Sequence, residues 1–151
     1  MGAERSLARL ILVEDFAPFR QLICKALAKC PHLHIICEVS DGGEAVQKAS
    51  ELKPDLILLD IGLPTLNGIA AARQIRELAP QSKIIFVTQE TSPDIVQEAF
   101  NLGAWGYVVK TMAAVDLLAA VEAVLEGRHF VSGGLSGHNF TNTTSRPPAD
   151  D

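Results

Sequence analysis

Three carboxylates follow two apolar segments of the chain. Glu14 and Asp15 come directly after residues 10–13, and Asp60 comes directly after residues 56–59. If both segments are neighbouring parallel strands, their carboxyl ends open on the same edge and the three acids share one crevice. Carboxylates held this close destabilise one another unless a cation intervenes, and an all-oxygen site of this kind suits Mg²⁺ or Mn²⁺. The alternative, in which the acids only begin the following helices, explains a single acid more readily than three.

Two further polar side chains follow apolar runs later in the chain. Thr88 comes after residues 84–87, and Lys110 comes after residues 105–109. Taken singly, each residue is ordinary, a capping hydroxyl and a solvated ammonium. On the edge that already holds the acids, Lys110 would balance negative charge and Thr88 would donate a hydrogen bond to an anion. Together the five residues indicate a phosphoryl site with an aspartate as acceptor, in which the protein supplies positioning and charge stabilisation.

The elements that position these residues follow from hydrophobic periodicity. The apolar runs do not alternate with polar residues, which is typical of parallel strands covered on both faces; they span residues 10–13, 35–37, 56–59, 84–87 and 105–109. Helical periods fill the gaps, including an apolar stripe from Phe19 to Cys30. Asp41 and Ser92-Pro93 mark helix starts, and Gly103 marks a left-handed helix end. The order predicts a doubly wound (βα)₅ α/β protein, a flavodoxin-like three-layer sandwich with sheet order 2-1-3-4-5.

Composition limits the class of protein. The 151 residues carry a net charge of −5, so a basic surface that grips DNA is not expected. No apolar run reaches the roughly 18 residues of a membrane span. The three cysteines form no metal-binding or CxxC pattern and are expected as reduced thiols in a cytoplasmic protein. One domain is predicted over residues 8–130, followed by a flexible tail or truncated linker over residues 131–151 that is rich in Gly, Ser, Thr, Asn and Pro.

The motifs at the strand ends resemble those of the receiver domain of two-component response regulators, over about residues 8–130. The resemblance rests on the joint spacing of Val-Glu-Asp at 13–15, Leu-Leu-Asp-Ile-Gly-Leu-Pro at 58–64, Asn-Gly at 67–68, Val-Thr at 87–88 and Tyr-Val-Val-Lys at 107–110. Asp-Ile-Gly-Leu-Pro and Gly-Arg-His-Phe-Val-Ser, at 60–64 and 127–132, are similar to the NarL/FixJ-like subgroup. The family implies a phosphoacceptor switch of a phosphorelay rather than an enzyme that turns over a separate substrate.

The resemblance also implies an acceptor and a metal site. Asp60 would accept a phosphoryl group from a histidine kinase or a phosphotransfer protein. Glu14, Asp15, Asp60 and the backbone carbonyl of Gly62 would hold Mg²⁺ or Mn²⁺.

The family further implies which residues sense the phosphoryl group. Lys110, the Thr88 hydroxyl and the backbone N–H of Gln89 would contact its oxygens. Thr88 would move toward the phosphate and Tyr107 would turn inward, which shifts the surface of the fourth helix, fifth strand and fifth helix. The kinase would dock near the first helix, and the domain would be able to form a homodimer.

Some positions depart from the family pattern. Thr111 follows Lys110 where the family often has a cis proline, so a trans bond is expected. Gly62 and Glu90 occupy positions that tune phosphoryl lifetime in the family. The stretch after Gly127 is short and not helical, so it cannot hold a helix-turn-helix domain. The chain is then either a single-domain receiver or the receiver part of a longer DNA-binding transcriptional regulator.

Three other functions are compatible with a fold of this class. A phosphohydrolase of similar fold usually carries a second acid two residues after the nucleophile, where this chain has Gly62. A nucleotide-binding domain needs a glycine-rich first turn, whereas residues 14–18 are acidic and lack glycine. A phosphorylation-independent adaptor that keeps only the fold is the remaining alternative.

Overall fold

Within residues 7–133, which are those that the structure describes, six parallel strands form one sheet in the order β2-β1-β3-β4-β5-β6. The strands of this computed structural model are β1 (Ala8–Val13), β2 (Leu33–Val39), β3 (Leu56–Leu59), β4 (Lys83–Thr88), β5 (Gly106–Val109) and β6 (Phe130–Val131). The helices are α1 (Ala17–Leu27), α2 (Gly42–Leu52), α3 (Gly68–Leu78), α4 (Pro93–Asn101) and α5 (Ala113–Leu125). A short 3₁₀ turn, Lys110–Met112, leads into α5. None of these helices is long and apolar enough to span a bilayer.

Helix boundaries follow the local signals in the sequence. The Asp41 side chain accepts a hydrogen bond from the Glu44 backbone N–H at 2.7 Å and begins α2. Pro93 begins α4, although Ser92 makes no capping hydrogen bond with its side chain. Gly103 adopts a φ of +112° just after α4, where a residue with a Cβ would be strained. The predicted helix starts and the left-handed glycine are thus confirmed.

Both faces of the sheet are covered, because alternate residues of the central strands enter two separate cores. Ile11 and Val13 pack with α2, α3 and α4, whereas Leu10 and Leu12 pack with α1 and α5. All four side chains are at most 1% exposed. Burial on both sides explains why these strands show apolar runs instead of alternation. The predicted doubly wound fold and the order of strands one to five are confirmed.

A sixth strand extends the sheet beyond the prediction. The Phe130 N–H donates to the Trp105 carbonyl at 3.1 Å, and the Ser132 N–H donates to the Tyr107 carbonyl at 2.9 Å. The Ser132 hydroxyl, which is fully buried, accepts from the Val109 N–H at 2.9 Å. The sheet therefore continues into the first residues of the segment assigned to the tail. The rest of that segment, residues 134–151, lies outside the described residues.

Candidate functional site

The carboxyl ends of β1 and β3 bring the acids together. Val13 and Leu59 are paired residues at the ends of these two strands, and the Asp60 N–H donates to the Val13 carbonyl at 3.2 Å. One oxygen each of Glu14, Asp15 and Asp60 lies within 4.8 Å of the others. Glu14 and Asp60 are buried, while Asp15 is exposed. The predicted convergence of the three acids is confirmed.

The segment between β3 and α3 holds Asp60 through close backbone contacts. The Gly62 N–H donates to Asp60 Oδ1 at 3.3 Å, and the Gly68 N–H donates to the Ile61 carbonyl at 2.7 Å. A Cβ on Gly68 would lie 2.0 Å from the Asp60 carbonyl oxygen, so only glycine permits this approach. The Asn67 side chain accepts from the Ala70 N–H at 2.9 Å and begins α3. The Asn-Gly pair therefore sets the distance between α3 and the acid.

Lys110 lies over the acids from the end of β5. Its Nζ is 3.0 Å from the Glu14 carboxylate and 3.0 Å from Asp60 Oδ2. Burial lowers the pKa of Lys110, but its hydrogen bonds to the two carboxylates outweigh burial and raise that pKa overall. Burial raises the pKa of Glu14, an effect that the Lys110 hydrogen bond opposes. The ammonium is thus charged at neutral pH and compensates part of the acidic cluster.

Thr88 and Tyr107, the two side chains predicted to form the switch, lie on the adjacent strands β4 and β5. Thr88 is buried at the end of β4, and its hydroxyl accepts from the Glu90 N–H at 3.4 Å. Tyr107 is fully buried and donates its hydroxyl to the Glu90 carbonyl at 2.9 Å. Burial raises the pKa of Tyr107, so its hydroxyl stays protonated and remains a donor. Both side chains are therefore tied to the backbone of the same residue.

An open cleft of about 690 Å³ lies above the acids. Six of the site residues predicted from the sequence line it: Asp15, Asp60, Gly62, Thr88, Gln89 and Lys110. The other two, Glu14 and Tyr107, are buried and do not line the cleft. Phe16, Phe19, Glu90 and Thr111 complete the lining. The two phenylalanines are the part of the site that the sequence analysis does not predict. The periodicity of α1 places Phe19 in an apolar stripe, and its side chain packs against the core as predicted while also lining the cleft. Within residues 7–133 no peptide bond is cis, so Lys110–Thr111 is trans as expected.

The charges of the site fit a divalent cation. Three carboxylates face one ammonium, which leaves two negative charges without a cation among these four groups. All the side-chain donors are oxygens, the ligand type that Mg²⁺ and Mn²⁺ prefer. Asp15 and Gly62 are exposed to the cleft, which leaves room for the water ligands that Mg²⁺ retains. The residues present therefore suit the metal implied by the family.

Comparison with known proteins agrees with this geometry. The family model "Response regulator receiver domain" matches residues 10–122. The chain is 33% identical over 129 residues to the transcriptional regulatory protein LiaR of Bacillus subtilis, which covers 85% of this chain and 61% of LiaR. It is 30% identical to the nitrate/nitrite response regulator protein NarL of Escherichia coli, over 85% of this chain and 60% of NarL. The chain thus spans about three fifths of the length of these relatives.

A solved structure supports the same assignment. A two-component response regulator of the LuxR family from Aurantimonas sp. SI85-9A1 superposes with a TM-score of 0.84 at 31% identity, covering 93% of this chain and all of that one. The strand order, the three acids at paired strand ends and the family match over residues 10–122 are mutually consistent. This chain therefore belongs to the response regulator receiver domain family and is of the NarL/LuxR type.

Proposed function

We propose that this domain is the phosphoacceptor switch of a two-component system and that Asp60 accepts the phosphoryl group. The observation that carries the proposal is the cluster of three carboxylates facing the single ammonium of Lys110 at the floor of an open cleft. Asp60 is buried at that floor and held by the Gly62 N–H. It is the carboxylate that both contacts the ammonium and lines the cleft, which suits an in-line acceptor.

In the proposed reaction an Asp60 carboxylate oxygen attacks the phosphorus atom of a phosphohistidine. The new P–O bond forms as the P–N bond breaks, and the histidine nitrogen leaves with the electron pair. Glu14, Asp15, Asp60 and the Gly62 carbonyl would hold Mg²⁺, which when bound neutralises charge on the phosphoryl oxygens. Lys110 supplies the positive charge on the other side of the cleft. With a small phosphodonor such as acetyl phosphate, a P–O bond breaks instead and acetate leaves.

Thr88, Gln89 and Lys110 would receive the phosphoryl oxygens. Thr88 lies at the strand end beside the acids, and the exposed Gln89, which follows it, also lines the cleft. Because the Thr88 hydroxyl and the Tyr107 hydroxyl both bond the backbone of Glu90, movement of Thr88 toward a phosphate changes the environment of Tyr107. We propose that this coupling shifts the surface formed by α4, β5 and α5.

The partners follow from the family. A cytoplasmic histidine kinase or phosphotransfer protein would donate the phosphoryl group near α1, and the domain would form a homodimer in one of its states. Among the relatives named above, LiaR is a transcriptional regulatory protein by name, and we propose that this receiver controls a transcriptional output without itself binding DNA. Slow hydrolysis of the aspartyl phosphate through the open side of the cleft at Gly62 would reset the switch.

Intact mass spectrometry tests the proposal. The protein incubated with acetyl phosphate and Mg²⁺ is expected to gain the mass of one phosphoryl group, and the gain is expected to disappear when Mg²⁺ is chelated. Asp60→Asn keeps the size of the side chain and should remain unmodified. A wild-type protein that stays unmodified would favour the phosphorylation-independent adaptor. A modified Asp60→Asn variant would place the acceptor elsewhere.

A further inference from the structure

Phe19 contributes an aromatic ring to the phosphoryl cleft. The residue lies in the first turn of α1, and its half-buried side chain lines the cleft beside Asp15 and Asp60. Lys110 Nζ lies 4.8 Å from the centroid of the ring. This distance is within the roughly 6 Å over which the face of an aromatic ring attracts a cation. The ammonium thus contacts two carboxylates and one ring.

A bound metal ion would affect the carboxylate contacts of Lys110 and its ring contact differently. The Glu14 and Asp60 carboxylates, each 3.0 Å from Nζ, are also proposed ligands of Mg²⁺. A divalent cation bound there takes up the negative charge that otherwise attracts the ammonium. The Phe19 ring offers no oxygen ligand to the metal, so a bound metal ion would not weaken the attraction between the ring and the ammonium. The Lys110 side chain is only 12% exposed, which limits competition by water.

We propose that Phe19 is a positioning residue for Lys110, whose ring holds the ammonium at the cleft once a divalent cation engages Glu14 and Asp60. The inference rests on the proposed phosphoacceptor function. It gives the ring a role at the moment of phosphoryl transfer, when Lys110 must face the incoming phosphoryl oxygens instead of the carboxylates. It also explains why an aromatic side chain stands at a helix position that the apolar stripe alone could fill with leucine.

Proton NMR tests the contact without any reaction. A ring above the ammonium shifts the ε-methylene protons of Lys110 upfield, and Phe19→Leu, which keeps an apolar side chain, should abolish the shift. The shift is expected both in the metal-free protein and at saturating Mg²⁺. Its absence in the metal-free protein would refute the contact, and its loss on addition of Mg²⁺ would refute the proposed role.

Fluorinated phenylalanines test whether the attraction is electrostatic. One to three ring fluorines at position 19 change the shape little but progressively weaken the ring's attraction for a cation. Across this series we expect phosphorylation by acetyl phosphate at saturating Mg²⁺ to slow about two- to fivefold, in order of fluorine number. Phe16 lines the same cleft, whereas the ammonium of Lys110 lies over the ring of Phe19, so the same series at Phe16 is the matched control.

The outcomes separate the inference from the function on which it rests. If the unsubstituted protein accepts no phosphoryl group, the proposed function fails. If that protein is phosphorylated and the series at Phe19 is flat, or falls no more than the series at Phe16, the positioning role fails while the function stands.

Discussion

Removal of the Lys110 charge is the sharpest test of how the site balances its charges. Lys110→Met keeps the apolar stem of the side chain but leaves Glu14, 1% exposed, and Asp60, 7% exposed, without their ammonium. Breaking a buried ion pair by removing one partner costs about 3–5 kcal/mol. Because the cleft is open to water on one side, we expect a loss of about 3 kcal/mol in the free energy of unfolding without metal.

Urea unfolding at pH 7 measures this loss, and the effect of Mg²⁺ on the free energy of unfolding provides a second test. A ligand at 100 times its dissociation constant adds about 2.7 kcal/mol to stability. Since Mg²⁺ would replace the missing positive charge, it should stabilise Lys110→Met more than the wild-type protein. The double variant Lys110→Met/Glu14→Gln should lose less stability than Lys110→Met alone, because one uncompensated charge is removed with its partner.

An exposed ion pair supplies the control. Lys48 and Glu51 lie one helical turn apart on α2, with 3.6 Å between their charged atoms. Lys48→Met should change the free energy of unfolding by no more than about 0.5 kcal/mol. A Lys110→Met variant as stable as wild type, or one that Mg²⁺ stabilises no more than wild type, would refute the charge-balance argument.

Three further predictions concern Gly68, Ser132 and His129. Gly68→Ala should lower the free energy of unfolding in urea by about 1–3 kcal/mol or more and should slow phosphorylation, because its Cβ would lie 2.0 Å from the Asp60 carbonyl oxygen. Gly62→Ala is the control, since a Cβ there would have no atom within 4 Å and should leave stability unchanged; equal effects of the two variants would contradict the contact. Ser132→Ala should cost about 1–3 kcal/mol because the buried Val109 N–H loses its acceptor, and a stability within 0.5 kcal/mol of wild type would count against β6 docking. Burial, together with the charge of nearby Lys83, lowers the pKa of His129 below its ordinary 6.5, so protonation favours the unfolded chain and the free energy of unfolding falls as pH drops through 6.5. His129→Phe should flatten this part of the stability–pH profile, and an unchanged slope would disprove the assignment.

Hydrophobic patterning is sufficient to predict the layout of the sheet and the edge that carries the site. Apolar runs without alternation indicated strands buried on both faces, and the helical periods between them indicated parallel connections. Residues placed directly after such strands meet at one edge, which is why Glu14, Asp15 and Asp60 were predicted to share a crevice and lie within 4.8 Å. The roles of these residues in phosphoryl transfer stay predictions, since they depend on chemistry rather than on position.

The contacts made across the cleft, by contrast, depend on how the chain folds and cannot be predicted from local pattern. Lys110 lies far along the chain from Glu14, and no periodicity states which carboxylates its ammonium reaches or that the Phe19 ring lies 4.8 Å away. A periodic stripe predicts the apolar side of a helix, and Phe19 in that stripe does pack against the core. The period does not show that the same ring also borders the cleft. Strand β6 has two residues, too few to show a period, and it depends on hydrogen bonds to β5 that exist only once the sheet has formed.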